Sequence, residues 1–194
     1  MILKVLRFIV WISFLALFAG CSLKYLPQQA PGISVSNDIA ILDMKDFLLL
    51  VENKSWNREP ENLADYFTTF YISISNKTDA PMTVDAGEIN LLDQSENQYD
   101  VIPLNYIEQL LLPEELEFSL ISDLQNQPLI IEQWREAKQN LITHSFSFGM
   151  ILPGAKKSGY VFFPKLNSQN QKCHFFYRNF EIVFFRKDYQ PDKN

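Results

Sequence analysis

The sequence predicts a mainly β chain, an antiparallel β-sandwich with a helical insertion at about residues 104–143. Three observations point there. Residues 66–75 alternate strictly, with Tyr66, Thr68, Phe70, Ile72 and Ile74 on one face and Phe67, Thr69, Tyr71, Ser73 and Ser75 on the other. Sixteen Phe and eight Tyr against six Gly suit an aromatic interior built from strands. Between Leu104 and His144 the apolar period changes from two to that of a helix, no glycine occurs, and strand patterns resume afterwards.

The chain opens on a segment expected to lie outside the fold. Lys4 and Arg7 supply positive charge, residues 8–19 are apolar except for Ser13, and no acidic residue precedes Asp38. About a dozen apolar residues are fewer than the roughly 20 that span a bilayer as a helix. They suit the apolar region of a secretory signal, closed by small residues at the cleaved bond. Phe18-Ala19-Gly20-Cys21 resembles the lipobox of bacterial lipoproteins, with Phe18 where that family usually has Leu. The resemblance implies cleavage between Gly20 and Cys21, a diacylglycerol on the Cys21 sulfur and acylation of the new amino group. With about 0.8 kcal/mol per buried methylene, two or more chains hold a protein firmly at a membrane. An uncleaved N-terminal helix and an ordinary cleaved signal are the alternatives. Ser22 stands where an Asp retains such proteins at the inner membrane, so the resemblance implies the outer membrane, facing the periplasm.

Residues 21–36 contain two prolines, a glycine and small polar residues, and are expected as the lipidated cysteine and a tether. A single domain over 37–190 follows, with the insert at 104–143. Without residues 1–20, 174 of the 194 residues remain. Lys4 and Arg7 go with the removed segment, so 15 of the 17 basic side chains face all 23 acidic ones, a formal charge of −8. That length suits one ordinary domain. The acidic balance excludes a nucleic acid partner, which needs clustered Lys and Arg. It also assigns membrane contact to the lipid on Cys21.

Within the domain, Asp38–Asp43 and Phe47–Asn53 read as strands, residues 53–62 as a loop, and 66–75 as a half-buried antiparallel strand. Asn76–Pro81 is a turn, followed by strands in "MTVDAGEINLLD" and "NQYDVI" around a loop at Asp93–Asn97. In the insert, Leu104, Ile107, Leu110 and Leu111, then Leu129, Ile130, Trp134, Ala137 and Leu141, recur at helical spacing. Two or three helices are expected, joined through Pro113 and residues 122–127, with Pro128 in the first turn of a helix. "SFSFGMIL" then alternates, "PGAKKSG" (153–159) reads as a turn, and "YVFFP" and "FYRNFEIVFF" read as two more strands.

"NKTDAP" followed by "EINLLD" and a "QY" strand, and later "ILPGAKKSGYVFFP", resemble the small immunoglobulin-like sandwich domains of bacterial lipoproteins. Those domains carry an Asn-x-Thr-x-x-Pro-type turn and a Pro-Gly loop leading into a Gly-x-Val-x-Phe strand. The resemblance covers about 38–103 and 144–186, and the insert is its departure. It implies an extracytoplasmic accessory or binding module with an envelope protein partner, and no catalytic residues.

Candidate chemistry is sparse. His144 and His174 have no Cys, His or carboxylate at ligand spacing, and each is expected at the start of a strand. No phosphate loop, nucleophile elbow or metalloprotease helix occurs, so no enzyme and no cofactor is expected. The carboxylates of "PEELE" (113–117) suit a helix N-terminus. Cys173 is expected as a half-buried small hydrophobe at the mouth of an aromatic strand, with a bridge to Cys21 as the alternative. A second functional reading is a carrier or sensor that takes a small apolar ligand or lipid between insert and sandwich.

Overall fold

The computed structural model describes residues 24–111 and 128–188. Among them the strands are β1 (Tyr25–Pro27), β2 (Ile33–Ser36), β3 (Ile39–Asp43), β4 (Phe47–Asn53), β5 (Phe67–Asn76), β6 (Met82–Val84), β7 (Ile89–Asp93), β8 (Gln98–Asp100), β9 (Gly149–Ile151), β10 (Lys156–Pro164), β11 (Lys172–Tyr177) and β12 (Phe180–Arg186). The helices are α1 (Leu63–Tyr66), α2 (Leu104–Leu110) and α3 (Pro128–His144). One five-stranded sheet runs β1-β12-β11-β7-β8 and the other β10-β5-β4-β3-β2, with β6 and β9 in a separate ribbon. Every pairing between these strands is antiparallel. The chain is therefore an antiparallel β-sandwich with a helical insertion between β8 and β9.

Alternation places the core. Leu49, Val51, Phe70, Ile72 and Ile74 of one sheet face Ile89, Leu91, Phe175, Ile182 and Phe184 of the other, all fully buried. Phe70 sits at the centre, 5.2 Å from the Phe175 ring and 5.1 Å from Phe184, so aromatic edges and faces lock the two layers together.

The segment expected as a tether instead supplies two strands. Tyr25 pairs with Arg186 of β12, and Ile33–Ser36 pairs with β3. The Tyr25 side chain is buried, its hydroxyl donates to the Asn170 carbonyl (3.1 Å), and its amide donates to Asn53 Oδ1 (2.8 Å). Pro27 is tolerated because β1 is the sheet's outermost strand, where a missing N–H leaves no ladder bond broken.

Strand β5 is not half-buried. Its inner face carries Phe70, Ile72 and Ile74, but its outer face is covered as well: Phe67 and Tyr71 join Trp56, Leu63, Ile107, Leu141, Tyr160 and Phe162 in a second apolar cluster. The insert folds back onto this face and takes the place of solvent. Tyr66, expected on the strand, ends α1 and is exposed.

Two turns also differ from expectation. The 153–159 turn is confined to the Leu152–Ala155 corner, and Lys156 already pairs with Ser75. The aromatic run expected as one strand is a hairpin, β11–β12, that turns at Arg178 and Asn179. Of "SFSFGMIL" only Gly149–Ile151 pairs as a strand; Gly149 has φ +104, which breaks the extended run, and Met150 is exposed.

Candidate functional site: the insert and its two anchor points

The insert is stapled to the free edge of β10 by both of its arms. On arrival the Ile102 amide donates to the Phe162 carbonyl (2.8 Å), and on return the Phe146 amide donates to the Tyr160 carbonyl (2.8 Å). Residues two apart on a strand direct their carbonyls to the same side, so one edge serves both contacts. Edge groups that would otherwise be open to another chain are thereby occupied. Ser145 forms a parallel bridge with Tyr160, and its hydroxyl donates to Leu141 O (2.5 Å) at the end of α3. Gly159 makes this approach feasible, because a Cβ there would stand 2.4 Å from the Phe146 nitrogen and from the Ser145 carbonyl carbon.

The helices present one face inward. Ile107 and Leu141 are fully buried, Ala137 nearly so, and Leu104 and Leu111 pack against the same cluster. Leu110, placed by its spacing on the apolar face, is 55 % exposed. Trp56, in what reads as a loop, closes the cluster by stacking edge-on to Tyr160 at 5.2 Å. Nothing in its own neighbourhood of the sequence signals this, because its partners come from β10. Glu108 and Lys138 pair across the two helices (3.1 Å), and Asn140 donates to the Glu59 carbonyl (3.2 Å). Leu129 and Ile130 belong to α3, while Pro113, the 113–117 carboxylates and residues 122–127 lie outside the described residues.

Two clefts flank the helices. One, of about 460 Å³, runs between insert and sandwich and is lined by Ile102, Leu104, Ile142, Phe146, Phe148 and Tyr160 among others, with no charged side chain. The second, of about 550 Å³, lies between Glu59–Asn62 and α3 and carries Glu59, Glu61 and Glu136 beside Trp134. Apolar clefts of the first kind and size suit small ligands.

Two buried polar side chains hold turns. Asn76 joins the two stretches that carry the sandwich-domain resemblance. Its Nδ2 donates to Ala80 O (2.7 Å) and Ile151 O (3.1 Å), while Oδ1 accepts from the Thr78 amide (2.9 Å) and hydroxyl (2.8 Å). Asp93 organises the 93–97 loop: Oδ1 accepts from the Ser95 and Asn97 amides (2.8 and 2.9 Å), Oδ2 from Asn97 Nδ2 and the Tyr99 hydroxyl (both 2.9 Å). Burial opposes its charge, but these bonds together hold its pKa below the ordinary value.

Gly20 and Cys21, the expected cleavage and lipidation site, lie outside the described residues. Cys173 is a free thiol, fully rather than half buried, and burial pushes its pKa well above the usual range. His144 ends α3 instead of starting a strand, and partial burial followed by the nearby Arg58 charge lowers its pKa. His174 stands on β11, the central strand of its sheet, and pairs with Glu181 across the hairpin. Among the described residues no helix is long and apolar enough to cross a membrane. Comparison of the chain with protein-family models, curated proteins and solved structures found no match.

Proposed function

We propose that the chain is an envelope lipoprotein, anchored through Cys21, whose sandwich is a non-catalytic scaffold presenting the helical insert to a protein partner. The observation that carries this reading is the apolar surface the insert leaves exposed. Having buried Ile107 and Leu141, the insert still leaves Tyr106, Leu110 and Ile142 at least half exposed. Exposed large apolar groups on a rigidly held element are what a partner surface requires. The scaffold role is supported by Asn76 and Asp93, whose polar atoms are already engaged in holding turns.

A photo-crosslinking side chain at Leu110 tests it in cells. One envelope protein should be captured there, none at Asp79 in the 76–81 turn, and the product should vanish in Tyr106→Ser/Ile142→Ser with the fold intact by circular dichroism. Capture that survives the double substitution would refute the reading. Deleting the insert is a poorer test, because it would bare Trp56, Phe67 and Phe162.

The uncharged cleft favours a second reading, a carrier of a small apolar ligand. Native mass spectrometry of the purified chain should then show a bound species that Ile142→Trp displaces. A bare protein mass counts against it.

A further inference from the structure

We infer that the anchored sandwich rests on the bilayer by the end where β1 begins, its β1–β12 edge against anionic headgroups and the insert raised away. This deepens the reading of Cys21 as the lipid anchor and rests on it. The first argument is length. Strand β1 starts at Tyr25, so four Cα steps separate it from Cys21, at most about 14 Å of chain. The tether thus reaches little further than a Debye length of about 8–10 Å, and the fold cannot leave the surface field.

The second argument is charge. Lys24, Lys165, Lys172, Arg186 and Lys187 gather at this end: the Lys187 amide donates to Lys24 O (2.8 Å), the Arg186 amide to Gln171 O (2.7 Å), and Lys165 follows β10 directly. Lys24 pairs with Asp38 and Arg186 with Asp188. Among the described residues, no ion pair engages Lys165, Lys172 or Lys187; Lys165 donates to the Ala64 carbonyl, which leaves Lys172 and Lys187 as two uncommitted cations on a chain of acidic balance. The cleft beside the insert carries the opposite sign: Glu59 and Glu61 of the loop before α1 and Glu136 of α3 rim it on the outer face of the other sheet. Anionic lipid attracts the first group and repels the second. A short tether fixes which end is down, and this asymmetry sets the tilt.

The test uses the full chain, purified with its lipid from a bacterial host and reconstituted in phosphatidylethanolamine–phosphatidylglycerol vesicles. Fluorophores are placed on Lys187→Cys, Asp79→Cys and Glu136→Cys in separate preparations, with a quencher carried on lipid headgroups. Quenching at position 187 should exceed that at 79 and 136 several-fold. Equal quenching at all three, or the strongest at 136, overturns the orientation. Intact mass separates the two layers of the argument: an unacylated chain defeats the anchor and this inference together, whereas an acylated chain quenched evenly defeats the orientation alone.

Discussion

Gly159 lies so close beneath the Ser145–Phe146 peptide that a methyl group on it would stand 2.4 Å from the Phe146 nitrogen. The obstacle is backbone on both sides, held by the 2.8 Å bond from Phe146 to Tyr160. Gly159→Ala must therefore break this staple or bend β10. A loss of about 3 kcal/mol is expected, read as a lowered denaturant midpoint. An unchanged midpoint would show that the returning arm can shift freely.

Asn76→Ala removes the amide that joins the 76–81 turn to Ile151. Two carbonyls and the Thr78 donors lose their partner in a nearly water-free site, at a cost of about 2–3 kcal/mol. Asn76→Asp should be no milder, because a carboxylate would face the Ala80 and Ile151 carbonyls without a proton to donate. Thermal unfolding of both variants is the measurement, and a Tm close to that of the parent for Asn76→Asp would contradict the assigned donor.

Asp93 should make stability pH-dependent in one direction. Its folded pKa lies below the ordinary 3.8, so its contribution is complete above the unfolded value and is lost as pH falls through the folded one. Asp93→Asn should lower stability by about 1–3 kcal/mol at neutral pH, and the gap to the parent should begin to close only below about pH 4 and vanish below the folded pKa. Denaturant midpoints across that range decide it; a constant gap would assign the effect to shape rather than charge.

Cys173 should be inert while the fold holds. No part of it reaches solvent, and burial keeps the thiol protonated at mildly alkaline pH. A thiol reagent should label it only in denaturant, and prompt labelling of the native chain would contradict the burial. Cys173→Ser, which adds a hydroxyl to an apolar site, should cost about 1–3 kcal/mol.

Much of this architecture was legible because strands advertise themselves at short range. Phe70, Ile72 and Ile74 alternate as their burial requires, and Ile107 and Leu141 recur as a docked helix face requires. What stayed hidden depends on residues far apart. Tyr25 belongs to a strand because Arg186 is there to pair with it, whereas its own neighbourhood is rich in proline. The β11–β12 hairpin lacks a glycine or proline at its turn. Arg178 takes φ +54 instead, held by its amide on Glu88 O (2.7 Å), by Nε on Glu88 Oε1 (2.9 Å) and by stacking over Tyr177. Trp56 is invisible for the same reason, since the rings it packs against, Tyr160 and Phe162, lie far along the chain on β10. At the candidate site the spacing of the helices could be read, but the exposure of Leu110 could not, because it depends on how α2 is rotated.

The pairing of Tyr25 with Arg186 also orders events in time. In a chain delivered N-terminus first, β1 emerges almost at once and then waits for a partner found 161 positions later. Until β12 arrives, β1 has no strand to pair with. When it arrives, the outermost strand of the sheet is sealed last, so closure of that sheet reports that the whole domain has been delivered.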